Sequence, residues 1–217
     1  MMDIIVMGAG GFAREVKWLI QQINAATPSY RFLGFVVSDM QAVGDRDSKA
    51  EILGDYAWFD THPQPLAVAL GIGTPKYRLA VAQAVQERAP QATFPSLVHP
   101  GVPYDAQSCR LHRGTLVCAG CVLTVNVTMH EFSMLNLCCT VGHETVIGPG
   151  CVMNPTVNLS GGVTLGSGVL IGTGAQVLQY VTVGENATIG AGAVAVKDVP
   201  AHTTVVGIPA KPLAPRA

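Results

Sequence analysis

The sequence predicts a chain in two parts, a small α/β domain of βαβαβ pattern followed by a parallel β-helix. Three observations carry that expectation. Short apolar segments alternate with amphipathic helical patterns at the start of the chain; a glycine-rich run, Gly8-Ala9-Gly10-Gly11, joins the first strand to the first helix; and from Leu111 onward a six-residue period in apolar side chains replaces every earlier pattern. We place the boundary so that residues 1–95 form the first domain and residues 96–217 the second.

A chain of 217 residues is long enough for two such domains. Charged residues make up 12% and hydrophobic residues 49%, a composition that excludes a disordered polymer. A net charge of −1 argues against a nucleic-acid partner. The opening MMDIIVMGAG has no basic n-region, so no secretory signal is expected. Residues 145–184 carry no Asp, Glu, Lys or Arg, yet they are rich in Gly, Thr, Asn, Ser and Pro. No window there holds the ~20 predominantly apolar residues of a membrane span, so no membrane partner is expected. Six cysteines without a signal read as reduced thiols in a cytoplasmic protein.

In the first part, Asp3–Met7 is a short apolar strand. A helix follows from about Phe12 to Asn24, with Val16, Leu19, Ile20 and Ile23 on one face. Arg31–Val37 and Leu66–Ile72 are the second and third strands, and a helix from Pro75 to Arg88 begins with a proline suited to its first turn. Strands alternating with helices predict a small parallel sheet with right-handed crossovers. The run GAGGFA between strand and helix fits G-x-G-x-x-A, whose backbone N–H groups and helix dipole favour phosphate. Three strands are too few for a full dinucleotide site.

In the second part, every sixth residue from Leu111 to Ala195 is apolar: Leu111, Val117, Leu123, Met129 and so on through Val183 and Ile189, without an insertion. Four residues after these positions stand small or β-branched residues such as Thr115, Cys121, Val127 and Cys139; one residue after them, turn formers such as Asn136, Gly142 and Gly148 are frequent. No helix or ordinary strand has this period. A parallel β-helix does, because each short strand and its corner repeat the same side-chain duties. From Gly114 to Val196 the only charged residues are Glu131, Glu144 and Glu185, and Glu144 stands beside His143, one of two histidines in the span. A neutral imidazole can accept a proton near neutral pH, as a general base must. The other reading of His143 is a corner histidine bonded to solvent or to a backbone carbonyl.

The hexad array, the tripeptide Gly142-His143-Glu144 within it and the ending Val206-Gly207-Ile208-Pro209-Ala210-Lys211-Pro212 resemble the left-handed β-helix acyltransferases. With its GAGGFA-bearing first domain, the chain resembles the sugar O-/N-acetyltransferase branch of that superfamily, which includes sialic acid O-acetyltransferase-like and bacillosamine-pathway N-acetyltransferase-like proteins. The resemblance implies a Rossmann-like nucleotide-sugar-binding domain followed by a left-handed parallel β-helix of hexapeptide repeats. It also implies three hexads per coil, so that residues 18 apart stack.

The resemblance assigns roles as well. His143 becomes the general base that deprotonates the acceptor as it attacks the acetyl-CoA thioester, and Glu144 orients it. Adjacent strand residues point to opposite faces, so a His143–Glu144 pairing needs a bend at the corner or a neighbouring subunit. Asn136 matches a position near the acceptor, with a corner-asparagine ladder to Asn154 as the alternative. Gly161 stacks on His143 and, lacking a side chain, would leave room for the pantetheine arm; Thr173 and Ala191 align with further acetyl-CoA contacts. Lys211 in the tail either reaches the nucleotide end of CoA or belongs to a cap on the open end of the solenoid. In the first domain the matched positions are Gly10, Gly11 and Phe12, then Ser38 and Asp39, then Gly73. The family often has His in place of Phe12, two Asp in place of Ser38-Asp39, and Gly-Asn or Gly-Asp in place of Gly73-Thr74, so backbone contacts to a nucleotide carry over more readily than side-chain ones.

A homotrimer with active sites between adjacent helices is expected on the same ground. N-acetylation of a nucleotide-linked amino sugar for cell-surface glycans is the leading function, with O-acetylation of a sugar hydroxyl next. A non-catalytic hexapeptide scaffold or ligand sensor stands as the alternative of another class. Metal chemistry of the γ-carbonic anhydrase kind is the remaining rival. His112 and His130 should stack, but Gly148 follows them in the column and no third histidine completes the set, so no metal is expected. Cys118-x2-Cys121 resembles a zinc knuckle, but Cys121 and Cys139 occupy inward positions and read as buried apolar residues.

Overall fold

A computed structural model describes residues 1–213, which divide into two compact units between Pro100 and Gly101. In the first, β1 (Met2–Met7) leads through the glycine run into α1 (Gly11–Ala26), then β2 (Tyr30–Val36), β3 (Ile52–Gly54), β4 (Ala67–Leu70) and α2 (Pro75–Arg88). The sheet order is β3-β2-β1-β4 and every pairing is parallel. Ile4, Ile5, Val6 and Met7 are all buried, the continuous apolar run of a central parallel strand covered on both faces. From α1 the side chains of Ala13, Val16, Leu19 and Ile20 are buried, while Ile23 is half-buried. At Gly71 a Cβ would lie 2.6 Å from Ala13 Cβ, so the missing side chain is what lets α1 approach β4.

The edge strand β3 was not expected. It spans three residues and lies between 3₁₀ segments at Lys49–Glu51 and Tyr56–Thr61, too short to carry a periodic signal.

The second unit is a parallel β-helix of the left-handed hexapeptide type. Fifteen two-residue strands run from Arg110–Leu111 to Val194–Ala195, and each expected apolar position is the second residue of its strand. The ladders pair Met134 with Val152, Thr140 with Asn158 and Val146 with Thr164, an 18-residue coil of three faces. The large inward residues are buried in column with small ones at the corners, among them Cys121, Cys139, Cys151 and Val157. All six cysteines are free thiols.

The corners show a rule that stacking alone does not. Phe132, Cys138, Glu144 and Tyr180 each turn the chain with φ near +60°. Three of these side chains fold back over a glycine of the preceding coil. A Cβ at Gly114 would sit 2.4 Å from Phe132 Cδ1, one at Gly120 2.8 Å from Cys138 Sγ, and one at Gly162 2.4 Å from Tyr180 Cδ1. At the far end the repeat shortens, with Thr188 opposite Thr204 and Val183 opposite Val199. The strand Thr204–Val206 is then covered by an antiparallel return at Lys211–Pro212. This return closes the open ladder edge, as a solenoid end requires. No helix among the described residues is long and apolar enough to cross a membrane.

Candidate active site

His143 and Glu144 occupy the corner 142–145, between the strands Thr140–Val141 and Val146–Ile147. Three backbone bonds fix this corner to its neighbours: Gly142 N–H donates to Leu159 O at 2.8 Å, Glu144 N–H to Val125 O at 3.1 Å, and Gly162 N–H to His143 O at 2.7 Å. The bend that the His143–Glu144 pairing needs is supplied by Glu144 itself, whose φ is +61°. Its carboxylate Oε2 then lies 3.3 Å from His143 Nδ1. With Nδ1–H donating to that carboxylate, Nε2 keeps its lone pair for proton transfer.

Gly161 lies directly against the His143 ring. A Cβ there would lie 2.4 Å from His143 Nε2 and 2.5 Å from Cε1, so the space above this glycine is filled by the imidazole itself and not left open for a ligand. On the adjoining residue, Gly162, the Tyr180 ring arrives from the following coil, leaving the Gly161–Gly162 backbone flanked by two rings. Tyr180 is largely exposed. The signal for it was a glycine 18 residues before an aromatic.

Asn136, Thr173 and Ala191 lie on a different corner of the prism. Asn136 is nearly buried and its Oδ1 accepts from Leu137 N–H at 2.7 Å, the corner-asparagine role in part. Thr173 and Ala191 are exposed on the same corner, with Gly192 N–H donating to Thr173 O. Lys211 is exposed within the covering tail strand.

In the first unit, a cavity of about 170 Å³ opens at the C-terminal ends of β1, β2 and β4, where ligands enter open α/β sheets. Gly8, Val37, Ser38, Asp39, Asp47 and Ile72 are among its lining residues. Asp39 Oδ1 accepts from Gln41 N–H, leaving the other oxygen to the cavity. Gly10, Gly11 and Phe12 begin α1 beside it, but loop 44–48 is fastened across this helix start. Ser48 N–H donates to Ala9 O, Arg14 Nη1 to Arg46 O, and Asp47 Oδ1 would stand 3.5 Å from a Cβ at Gly10. A phosphate at the N-terminus of α1 therefore meets a carboxylate. Gly73, in contrast, has open space around it just ahead of α2, whose first turn holds no acid. Behind that turn the fully buried Arg78 donates through Nη1 to Ile72 O and Leu70 O, pinning the loop. Sequence reading did not single out Arg78, one residue within the expected helix from Pro75 to Arg88.

Comparison with known families supplies what geometry alone does not. Residues 3–85 match the PglD N-terminal domain, and residues 162–195 match the bacterial transferase hexapeptide (six repeats). The acetyltransferase domain of PglB from Neisseria gonorrhoeae, solved with acetyl coenzyme A, is 27% identical with a TM-score of 0.84, covering 98% of this chain and 99% of that one. The first unit therefore matches a PglD-type N-terminal domain and the second a bacterial transferase hexapeptide repeat, and the solved structures similar over the whole length are sugar acetyltransferases. WeeI from Acinetobacter baumannii is 28% identical, with a TM-score of 0.80 and coverage of 98% and 100%. PerB from Caulobacter crescentus, solved with CoA and GDP-perosamine, shares the fold at 24% identity, with a TM-score of 0.83 and coverage of 98% and 97%. No curated protein sequence matches the chain. On these matches the protein is an acyltransferase.

Proposed function

We propose that this acyltransferase moves the acetyl group of acetyl-CoA to the amine of a nucleotide-linked amino sugar, in the cytoplasm, for cell-surface glycan synthesis. The observation that carries the reading is the His143 imidazole held by Glu144 at Nδ1, which leaves Nε2 for proton transfer, on a fold whose solved relatives carry acetyl coenzyme A, or CoA with GDP-perosamine. The amine attacks the thioester carbonyl while His143 Nε2 takes its proton. The carbonyl oxygen gains charge, and a backbone N–H of the corner supplies the donor it needs. Collapse breaks the C–S bond, and the imidazolium returns the proton to the departing thiolate. Glu144 stabilises the imidazolium in between.

The nucleotide belongs in the first unit. The apolar walls Val37 and Ile72 suit a flat base, and Ser38 and Asp39 suit base or ribose hydroxyls and amides, with Gly10, Gly11 and Phe12 following Gly8 of the lining at the start of α1. We place the diphosphate at Gly73, where α2 begins with Lys76 in its first turn, because a helix N-terminus favours an anion and the start of α1 faces Asp47. On the β-helix, Thr173 and Ala191 take the acetyl-CoA arm, Gly161 holds the imidazole in place, and Asn136 approaches the acceptor with its amide N–H₂. Lys211 remains for the nucleotide end of CoA. Because these residues fall on two corners, the working unit is a homotrimer in which one corner of each copy faces the other corner of its neighbour.

The test is thiol release from acetyl-CoA across UDP-, GDP- and TDP-linked amino sugars. Release with one of them, and a ~10²–10⁴-fold lower kcat for His143→Ala with the fold intact, is the expected result. Release only with an acceptor lacking an amine would make the protein an O-acetyltransferase. Absence of acetyl-CoA binding would make it a scaffold.

A further inference from the structure

The third corner of the β-helix, apart from both groups of acetyl-transfer residues, carries a cluster of ligating side chains. We propose that His112, His130 and Glu131 form a binding site for one divalent transition-metal ion of the zinc class, which ties the first coil of the solenoid to the second. One ligating atom from each residue lies within 4.8 Å of the other two. The two imidazoles stack face to face with centroids 5.0 Å apart and 23° between their planes.

This juxtaposition is held by the backbone. Arg110 pairs with Thr128 and Leu111 with Met129, so the residues that follow, His112 and His130, are brought into line one coil apart. His112 N–H donates to Met129 O at 2.9 Å and His130 N–H to Ile147 O at 2.8 Å. A tetrahedral ion with bonds of ~2.1 Å needs its ligand atoms about 3.4 Å apart. Contraction from 4.8 Å to that spacing requires only side-chain rotation, and none of the three side chains is buried.

The donor set decides the class of ion. Two imidazole nitrogens and one carboxylate oxygen suit Zn²⁺, Co²⁺, Ni²⁺ or Cu²⁺, whereas Ca²⁺ and Mg²⁺ ask for oxygen alone. Three protein ligands leave a fourth position to water. In the next coil the column continues as Gly148, which adds no side chain. The neighbouring cation, Arg113, lies with its guanidinium over the Phe132 ring, 5.4 Å from the centroid; its charge opposes the ion and lowers affinity. The strand Arg110–Leu111 is the edge of its ladder, with a neighbour on one side only, so a bridge at this place reinforces that edge.

The test uses the full chain freed of metal by EDTA and titrated with Co²⁺ and with Zn²⁺. The expected result is one equivalent per chain, a visible Co²⁺ absorption band, and a rise of several degrees in melting temperature at a hundredfold excess over the dissociation constant. His112→Gln and His130→Gln each abolish the band and the shift, and Glu131→Gln weakens binding at least tenfold; circular dichroism establishes that each variant is folded. His143→Ala and Cys138→Ser keep the full equivalent. Loss of binding in either of these last two, with retention in His112→Gln and His130→Gln, would overturn the site, as would no band and no shift in the unaltered chain.

Discussion

Two residues of opposite character position the His143 imidazole. Glu144 reaches its Nδ1 only because the chain turns through φ +61° at that residue. That conformation is no mark of function by itself, since Phe132, Cys138, Thr156 and Tyr180 adopt it at other corners. Gly161 acts by having no side chain. If the opening above it served the pantetheine arm, filling it would raise the KM for acetyl-CoA. The geometry predicts something else: in Gly161→Ala the new Cβ would fall 2.4 Å from Nε2, and the exposed imidazole, free to rotate, swings aside. The variant should stay folded, keep its KM for acetyl-CoA within about twofold, and lose ~10²-fold in kcat, the lower end of what a displaced general base costs. A raised KM with kcat preserved would return the space to the ligand.

Within the β-helix the inward columns set stability, and one of them makes it depend on alkaline pH. Cys151 is fully buried, its Sγ donates to Gly166 O at 2.9 Å, and burial pushes its thiol up to about 12. Cys139 is pushed up as well, by its hydrogen bond with Cys121 and by burial. A raised folded-state value means that the folded chain holds its proton after the unfolded chain has lost it. The contribution is therefore complete below the unfolded thiol value of 9.0 and lost as pH rises towards about 12. At pH 10.5 the wild type should have lost about 2 kcal/mol from this group, at 1.36 kcal/mol per pH unit. Cys151→Val, which places the residue found one coil on at Val169, should remove that slope in denaturant melts of the unit between pH 8 and 10.5. An unchanged slope would assign it elsewhere.

The same columns explain what was legible beforehand. A side chain repeated every six residues for fifteen strands is a signal that no local competition can blur, and so the coils could be read residue by residue. Three things could not. β3 is a three-residue edge strand without periodicity; the loop that sets Asp47 beside Gly10 depends on tertiary hydrogen bonds; and Arg78 is fully buried, bonded to Leu70 O and to Ile72 O of the loop Gly71-Ile72-Gly73-Thr74, which has no periodic pattern.

At the scale of the whole molecule, the residues assigned to one reaction lie on two corners of a rigid prism. His143, Glu144 and Gly161 share one, while Asn136, Thr173 and Ala191 share the next. A coil is locked by ladder bonds on three faces and cannot fold one corner onto the other, so a single copy does not bring the two groups together. If neighbouring copies do, each active site takes its base from one chain and its acetyl-CoA corner from another, and the sites can be rebuilt from two inactive chains. His143→Ala removes the base and leaves the other corner native. Thr173→Arg places a long charged side chain on that exposed corner and leaves the base native. Each variant alone should be inactive as a trimer. Unfolded together in equal amounts and refolded, they assort at random, and a site works when its base comes from the second chain and its other corner from the first, which happens for about a quarter of sites. Recovery of about a quarter of wild-type activity would establish a shared site. No recovery, with mixed trimers verified by mass, would mean that one chain supplies the whole site and that the residues on the Asn136 corner serve some other purpose.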